Sequence, residues 1–178
     1  MLLVLVTGLP GTGKSTMAEA AGRALGAAVL GHDWAMSGLR PYPEVQATLD
    51  AMGVRGHRGV GWSLLWALAR SQLRLGASVV LDGVARDPEV EGTRALAHEE
   101  GAGSFVVLTS CADPDVHRAR LLGRRRAIPG WYELGWEQVE RSRASWTPPS
   151  GVDLHLEATD PLAQSVQQVR TAVRAALD

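Results

Sequence analysis

Residues Gly8 to Ser15 read G-L-P-G-T-G-K-S, and Lys14 among them is the only lysine in a chain with eighteen Lys plus Arg. This is the spacing of a phosphate-binding loop, G-x-x-x-x-G-K-[ST]. Gly8, Gly11 and Gly13 admit backbone angles that turn successive N–H groups inward around a polyphosphate. The helix that the loop opens adds unpaired first-turn N–H groups and the positive end of its dipole. Lys14 supplies a compact, mobile charge for the β- and γ-phosphates, and the Ser15 hydroxyl is the expected Mg²⁺ ligand. Pro10, Thr12 and Thr16 complete the loop and first turn around the nucleotide.

Two acids stand where apolar runs end. Asp82 follows Val79-Val80-Leu81, the pattern of the carboxylate that orients Mg²⁺ or its water; its bland alternative is a turn or cap. Asp33 follows the second apolar run and can accept the proton of a substrate hydroxyl, or else cap the next segment. Arg118, Arg120, Arg124, Arg125 and Arg126 crowd one helix and its exit. Such a run is a solvated face unless Arg120 and Arg124, four apart, present two guanidinium forks to a triphosphate. Pro129, Gly130, Gly135, Pro148 and Pro149 punctuate the stretch that follows. A lid over about residues 118–149 is expected there. Among six tryptophans, Trp62 and Trp66 read as core, while Trp34 and Trp131 have site residues as neighbours and are expected at the substrate.

The elements that must hold these residues are legible as apolar runs at Leu2–Val6, Ala27–Leu30, Ser78–Leu81, Ser104–Leu108 and Val152–Leu156, separated by helical pattern. This alternation predicts an α/β fold with a parallel sheet and helices on both faces. Ligands in such sheets bind beyond the carboxyl ends of the strands, where the loop and both acids fall. Three helices are expected to start at Asp-Pro pairs: Asp87-Pro88, Asp113-Pro114 and Asp160-Pro161. Alternation in Val152–Glu157 predicts a strand near the sheet edge.

With 178 residues and no dividing linker, one domain (1–178) is expected. A net charge of −1 gives no global case for a nucleic-acid or membrane partner. Cys111 stands alone, which excludes an internal disulfide and fits a reducing cytoplasm. Leu2–Val6 is too short for a signal-peptide core and is expected to be structure.

The loop, the two acids and the arginine helix resemble P-loop kinases such as gluconate kinase, chloramphenicol phosphotransferase and polynucleotide kinase. The resemblance implies a P-loop NTPase three-layer sandwich with a five-stranded sheet ordered 2-3-1-4-5 and a helical lid. It implies ATP and Mg²⁺ as cofactors, Asp33 as catalytic base, and Arg120 and Arg124 as the lid arginines. Asp82-Gly83 followed by Arg86 is similar to the D-G-x-x-R of adenylate kinases, whose arginine binds the acceptor. Where polynucleotide kinase has an acceptor-binding arginine this chain has Met36, with Arg40 the nearest substitute. The expected activity is therefore transfer of the γ-phosphate to a hydroxyl of a small molecule. A polynucleotide 5′-hydroxyl kinase and a nucleotide-dependent switch are the alternatives; acceptor and oligomeric state stay open.

Overall fold

The computed structural model describes residues 1–53 and 55–177. Five parallel strands, β1 (Leu2–Thr7), β2 (Ala28–Gly31), β3 (Val79–Asp82), β4 (Gly103–Ser110) and β5 (Leu154–Glu157), form one sheet ordered β2-β3-β1-β4-β5. This is the expected P-loop NTPase topology, with the first strand central and the fifth at an edge. All six residues of β1 are buried, and the two-residue period of a strand divides them between faces. Leu3 and Leu5 join Trp62, Leu65, Leu73, Val79 and Leu81 in one core. Leu2, Val4 and Val6 join Met17, Ala21, Val80, Val169 and Val173 in the other. Each fully buried Leu or Val contributes about 1.5–3 kcal/mol, so a central strand that feeds two cores anchors the loop at its end.

The first core lies under α4 (Val60–Leu73) and α5 (Asp87–Glu99), and the second under α1 (Lys14–Leu25) and α8 (Leu162–Ala175). Helices on both faces make the three layers. Beyond β4, α6 (Pro114–Gly123) and α7 (Trp136–Ser145) flank an irregular segment. Between β2 and α4 the chain also forms α2 (His32–Ser37), α3 (Pro43–Ala51) and a π-helical turn, Arg55–Gly59.

The three Asp-Pro pairs end differently from one another. Asp113 caps α6 as expected, accepting from the backbone N–H of Asp115 and Val116 at 2.9 and 3.1 Å. Asp87 is already inside α5, whose N-cap is Arg86, and its carboxylate instead accepts from Ser150 N–H at 2.6 Å. Helix α8 starts one residue late, with Pro161 at the N-cap and Asp160 outside it. Pro stands in the first turn of α5 and α6 and at the N-cap of α8, so the pair marks each start, but which residue caps is settled by where the preceding loop must go.

Candidate active site

The loop wraps back on itself below the mouth of the sheet. Gly8, Gly11 and Gly13 have φ of 145°, 93° and 96°, the region where a side chain is strained. Close approach adds to this at Gly8, where a Cβ would stand 2.1 Å from the Thr109 carbonyl oxygen. Leu9 offers its carbonyl to Thr12 N–H (3.3 Å), Thr12 Oγ1 (2.8 Å) and Lys14 Nζ (3.1 Å). Thr12 and Thr109 share a hydroxyl contact of 2.7 Å that ties the loop to β4.

Ser15 Oγ donates to Asp82 Oδ2 at 2.7 Å, joining the first turn of α1 to the end of β3. Burial pushes the Lys14 ammonium below its ordinary pKa, against the pull of Asp82 and Asp33. Burial likewise pushes Asp82 up, opposed by Lys14 and the Ser15 hydrogen bond. A buried ammonium is relieved by an anion and a buried carboxylate by a cation. The pair therefore fits a polyphosphate with a hard, oxygen-seeking cation: the Ser15 hydroxyl would hold Mg²⁺ and Asp82 its water.

Asp33 lies in the first turn of α2 without capping it. Arg126 Nη1 pairs with Asp33 Oδ2, and the same guanidinium donates through Nη2 to the Tyr132 carbonyl at 2.8 Å. Burial raises the Asp33 pKa, but the His32 ring, 3.7 Å away at Nδ1, and the Arg126 charge outweigh it, leaving it below the ordinary 3.8. Asp33 is thus a carboxylate at any neutral pH.

A cleft of about 870 Å³ brings together Lys14, Ser15, Asp82, Asp33, Trp34, Arg86, Arg120, Arg124, Arg126 and Trp131. The expected Arg120–Arg124 face does not form, because α6 ends at Gly123 and Arg124 turns into extended backbone (φ −88°, ψ 151°). Arg120 donates to the Ala158 carbonyl beyond β5 and also lines a small pocket of about 80 Å³ with Thr12, Thr16 and Asp160. Arg124 keeps Nε and Nη2 buried without a partner. Arg40, unlike those two, is not among the residues that line the cleft. It donates to the Gly130 carbonyl (3.3 Å) and stands 6.0 and 5.9 Å over the stacked rings of Trp131 and Tyr132, so it braces the irregular segment between α6 and α7. Trp34 is 57% exposed. Trp66 donates to Thr93 Oγ1 at 3.2 Å and packs as expected against the core, whereas Trp62 is both core and cleft wall.

His117 is a residue the spacing gave no reason to single out. It is 1% exposed, with Nε2 2.7 Å from the Pro10 carbonyl and Nδ1 2.7 Å from Arg143 Nη2. A carbonyl only accepts and a guanidinium only donates, so the ring is neutral with its proton on Nε2. Trp136 sits edge-on to it at 5.3 Å. The ring thereby joins the phosphate loop to α7. Burial pushes its pKa below the ordinary 6.5, and Arg143 and Lys14 add to this against Pro10 and Glu140. A depressed histidine pKa contributes stability that is present above the unfolded value and lost as pH falls through the folded one. Unfolding in urea is expected to show the midpoint falling between neutral and about pH 5, and falling less in His117→Gln. Equal slopes in the two proteins would remove His117 from the pH dependence.

The sheet order, the glycine loop and the strand-end acids define a P-loop NTPase of kinase-like fold. More particularly, residues 3–149 match the model of an AAA domain family, AAA_33, and the chain belongs to it. It is 32% identical over 150 residues to a UPF0200 protein of Aeropyrum pernix, a match that covers 81% of this chain and 74% of that one. Uncharacterized proteins of Mycobacterium tuberculosis are 32% identical over 127 residues, and the match spans 25% of their length. A gluconokinase from Sinorhizobium meliloti has a TM-score of 0.68 at 18% identity over 98% of this chain and 92% of that one. Kti12 of Chaetomium thermophilum, solved with ADP-AlF3, has a TM-score of 0.66 at 18% identity over 100% of both chains.

Proposed function

We propose that the chain is an ATP- and Mg²⁺-dependent phosphotransferase acting on a hydroxyl of a small molecule, in a reducing cytoplasm. The observation that carries this is Asp33, a strand-end carboxylate that belongs to neither phosphate motif yet shares the cleft with Lys14 and the Ser15–Asp82 pair. Lys14 and the loop amides hold the phosphates. When bound, Mg²⁺ offsets charge on the phosphate oxygens. The acceptor oxygen bonds to the γ-phosphorus as the bond from that phosphorus to the β–γ bridging oxygen breaks. ADP leaves with the bonding pair, and the hydroxyl proton passes to Asp33 and then to solvent. Arg124, with two donor nitrogens unsatisfied, faces the charge that develops.

Met36 is 1% exposed, so the position that would supply a polynucleotide kinase with its acceptor arginine offers no cation here. A nucleotide-dependent switch is the second reading, favoured by the Arg126–Asp33 pair, which engages the base with a lid residue.

Screening small hydroxylated compounds with labelled ATP tests the reading, and no transfer to any of them would count against it. The two arginines should then separate. Arg124→Ala is expected to lower kcat by on the order of a hundredfold with little change in nucleotide affinity. Arg120→Ala, which loses a contact beyond β5, should weaken nucleotide binding more than it lowers kcat. Identical effects in both would return Arg124 to a structural role.

A further inference from the structure

The phosphate loop contains a peptide unit that its own sequence leaves free to turn over. Leu9-Pro10-Gly11-Thr12 closes with Thr12 N–H on the Leu9 carbonyl at 3.3 Å, and Gly11 has φ of 93°. Proline cannot take a positive φ, so this is a type II turn with Pro10 and Gly11 at its centre. Rotating the central peptide gives the commoner type I turn, which the same two residues also fit, because glycine accepts either sign of φ. The direction of this peptide has to be chosen from outside the turn. Its carbonyl and its N–H point opposite ways across one plane, so fixing one aims the other.

His117, on α6, is placed to choose. Its Nε2–H donates to the Pro10 carbonyl at 2.7 Å from a ring that is 1% exposed. The ring fills the room that Gly11 leaves: a Cβ there would meet Cδ2 at 3.0 Å and Nε2 at 3.1 Å. With the carbonyl held on the buried side, Gly11 N–H turns to the other side, and Gly11, Gly13 and Lys14 all line the cleft. No backbone carbonyl of the described residues accepts from that N–H.

Helix α7 in turn sets the ring. Arg143 Nη2 donates to Nδ1 at 2.7 Å, which keeps the proton on Nε2. In the other tautomer Nε2 would turn a lone pair on the Pro10 carbonyl, and two facing acceptors disfavour the present direction of the peptide. Arg143 itself stands 5.7 Å over the Trp136 ring, the same ring that meets His117 edge-on.

We propose that His117 is a positioning residue for the nucleotide: with its tautomer set by Arg143, it holds the Pro10–Gly11 peptide so that Gly11 N–H faces the phosphates, and α7 and the phosphate loop bind nucleotide as one unit. This rests on the loop as the nucleotide-phosphate site and not on transfer to any acceptor. Its test is therefore binding: ADP with Mg²⁺ is titrated calorimetrically into the parent, His117→Gln, His117→Leu, Arg143→Met and the double variant of the last two. Gln carries an N–H donor near the place of Nε2, so its affinity is expected to stay within about threefold of the parent. Leu is of similar size but donates nothing, and its affinity should fall by about tenfold or more, the worth of a hydrogen bond to a charged group. Arg143→Met should lose a similar factor alone and nothing further in the Leu background, because it acts through the ring. Circular dichroism checks that each variant folds. Should His117→Leu not fold, the contrast between His117→Gln and Arg143→Met carries the test, since the Arg143 side chain is 35% exposed. Parent-like affinity in the folded Leu or Met variant, a Gln variant as weak as Leu, or losses that simply add would overturn the proposal. A parent that binds no ADP would overturn both it and the reading of the loop. The expected pattern in a protein that transfers no phosphate would sink the phosphotransferase reading and leave the role of His117 standing.

Discussion

Lys14→Ala is expected to abolish phosphate transfer and leave the fold intact. Lys14 is half-buried, and burial disfavours its charged form, so its removal takes away a charge that the fold holds at a cost. Its one hydrogen bond is to the Leu9 carbonyl, which keeps Thr12 N–H and Thr12 Oγ1 as donors. It belongs to neither core, and changes away from cores and caps usually shift stability by within about 0.5 kcal/mol. What is lost is the charge proposed to face the β- and γ-phosphates, and no other lysine exists to replace it. The check is transfer from labelled ATP beside a thermal melt of the same sample. Transfer at the normal rate would mean that this loop is not the active phosphate site, and a collapsed melt would mean that Lys14 holds the fold.

The sheet and its mouth were legible because they obey short-range rules. Val79-Val80-Leu81 before Asp82 and Leu2–Val6 before Gly8 announce strands and their ends, and the glycine loop fixes which strand is central. The arginines were not legible, because helical spacing says nothing once the helix stops. Arg124 lies past Gly123, where the path of an irregular segment and not a period of 3.6 decides its direction. Arg126, which reaches Asp33 across 93 positions of chain, carries no local signal at all. His117 had one faint mark: Gly11 stands so close that a Cβ there would meet the ring at 3.0 Å, but only coordinates show which side chain needs that space. The π-helical turn Arg55–Gly59 failed to show for a related reason: R-G-H-R-G has neither the apolar period of a helix nor the alternation of a strand.

Asp33→Asn separates a phosphotransferase from a switch, because Asn has nearly the shape of Asp but takes no proton. The substitution sits outside both cores and caps no helix, so the fold and the affinity for ATP with Mg²⁺ are expected to hold. Transfer to the acceptor should fall by about a hundredfold to ten-thousandfold, the worth of a positioned general base. The Arg126 pair sharpens the expectation. A depressed carboxylate pKa contributes stability that is present above the ordinary 3.8 and lost as pH falls through the folded value, so the variant should unfold with less loss of stability on acidification than the parent. The His32 contact and the Arg126 pair together make Asp33 a weak base, and an acceptor hydroxyl that displaced Arg126 would remove one of these two influences and raise the basicity of Asp33 where the proton is taken. Nucleotide affinity by calorimetry and transfer by labelled ATP, on one preparation, read the two arms. Lost nucleotide affinity in folded protein would place Asp33 with the metal; undiminished transfer would remove it from the mechanism. Intact binding with transfer absent in parent and variant alike, across the hydroxylated compounds screened, would favour the switch, in which the Arg126–Asp33 pair would report the nucleotide through the segment after α6.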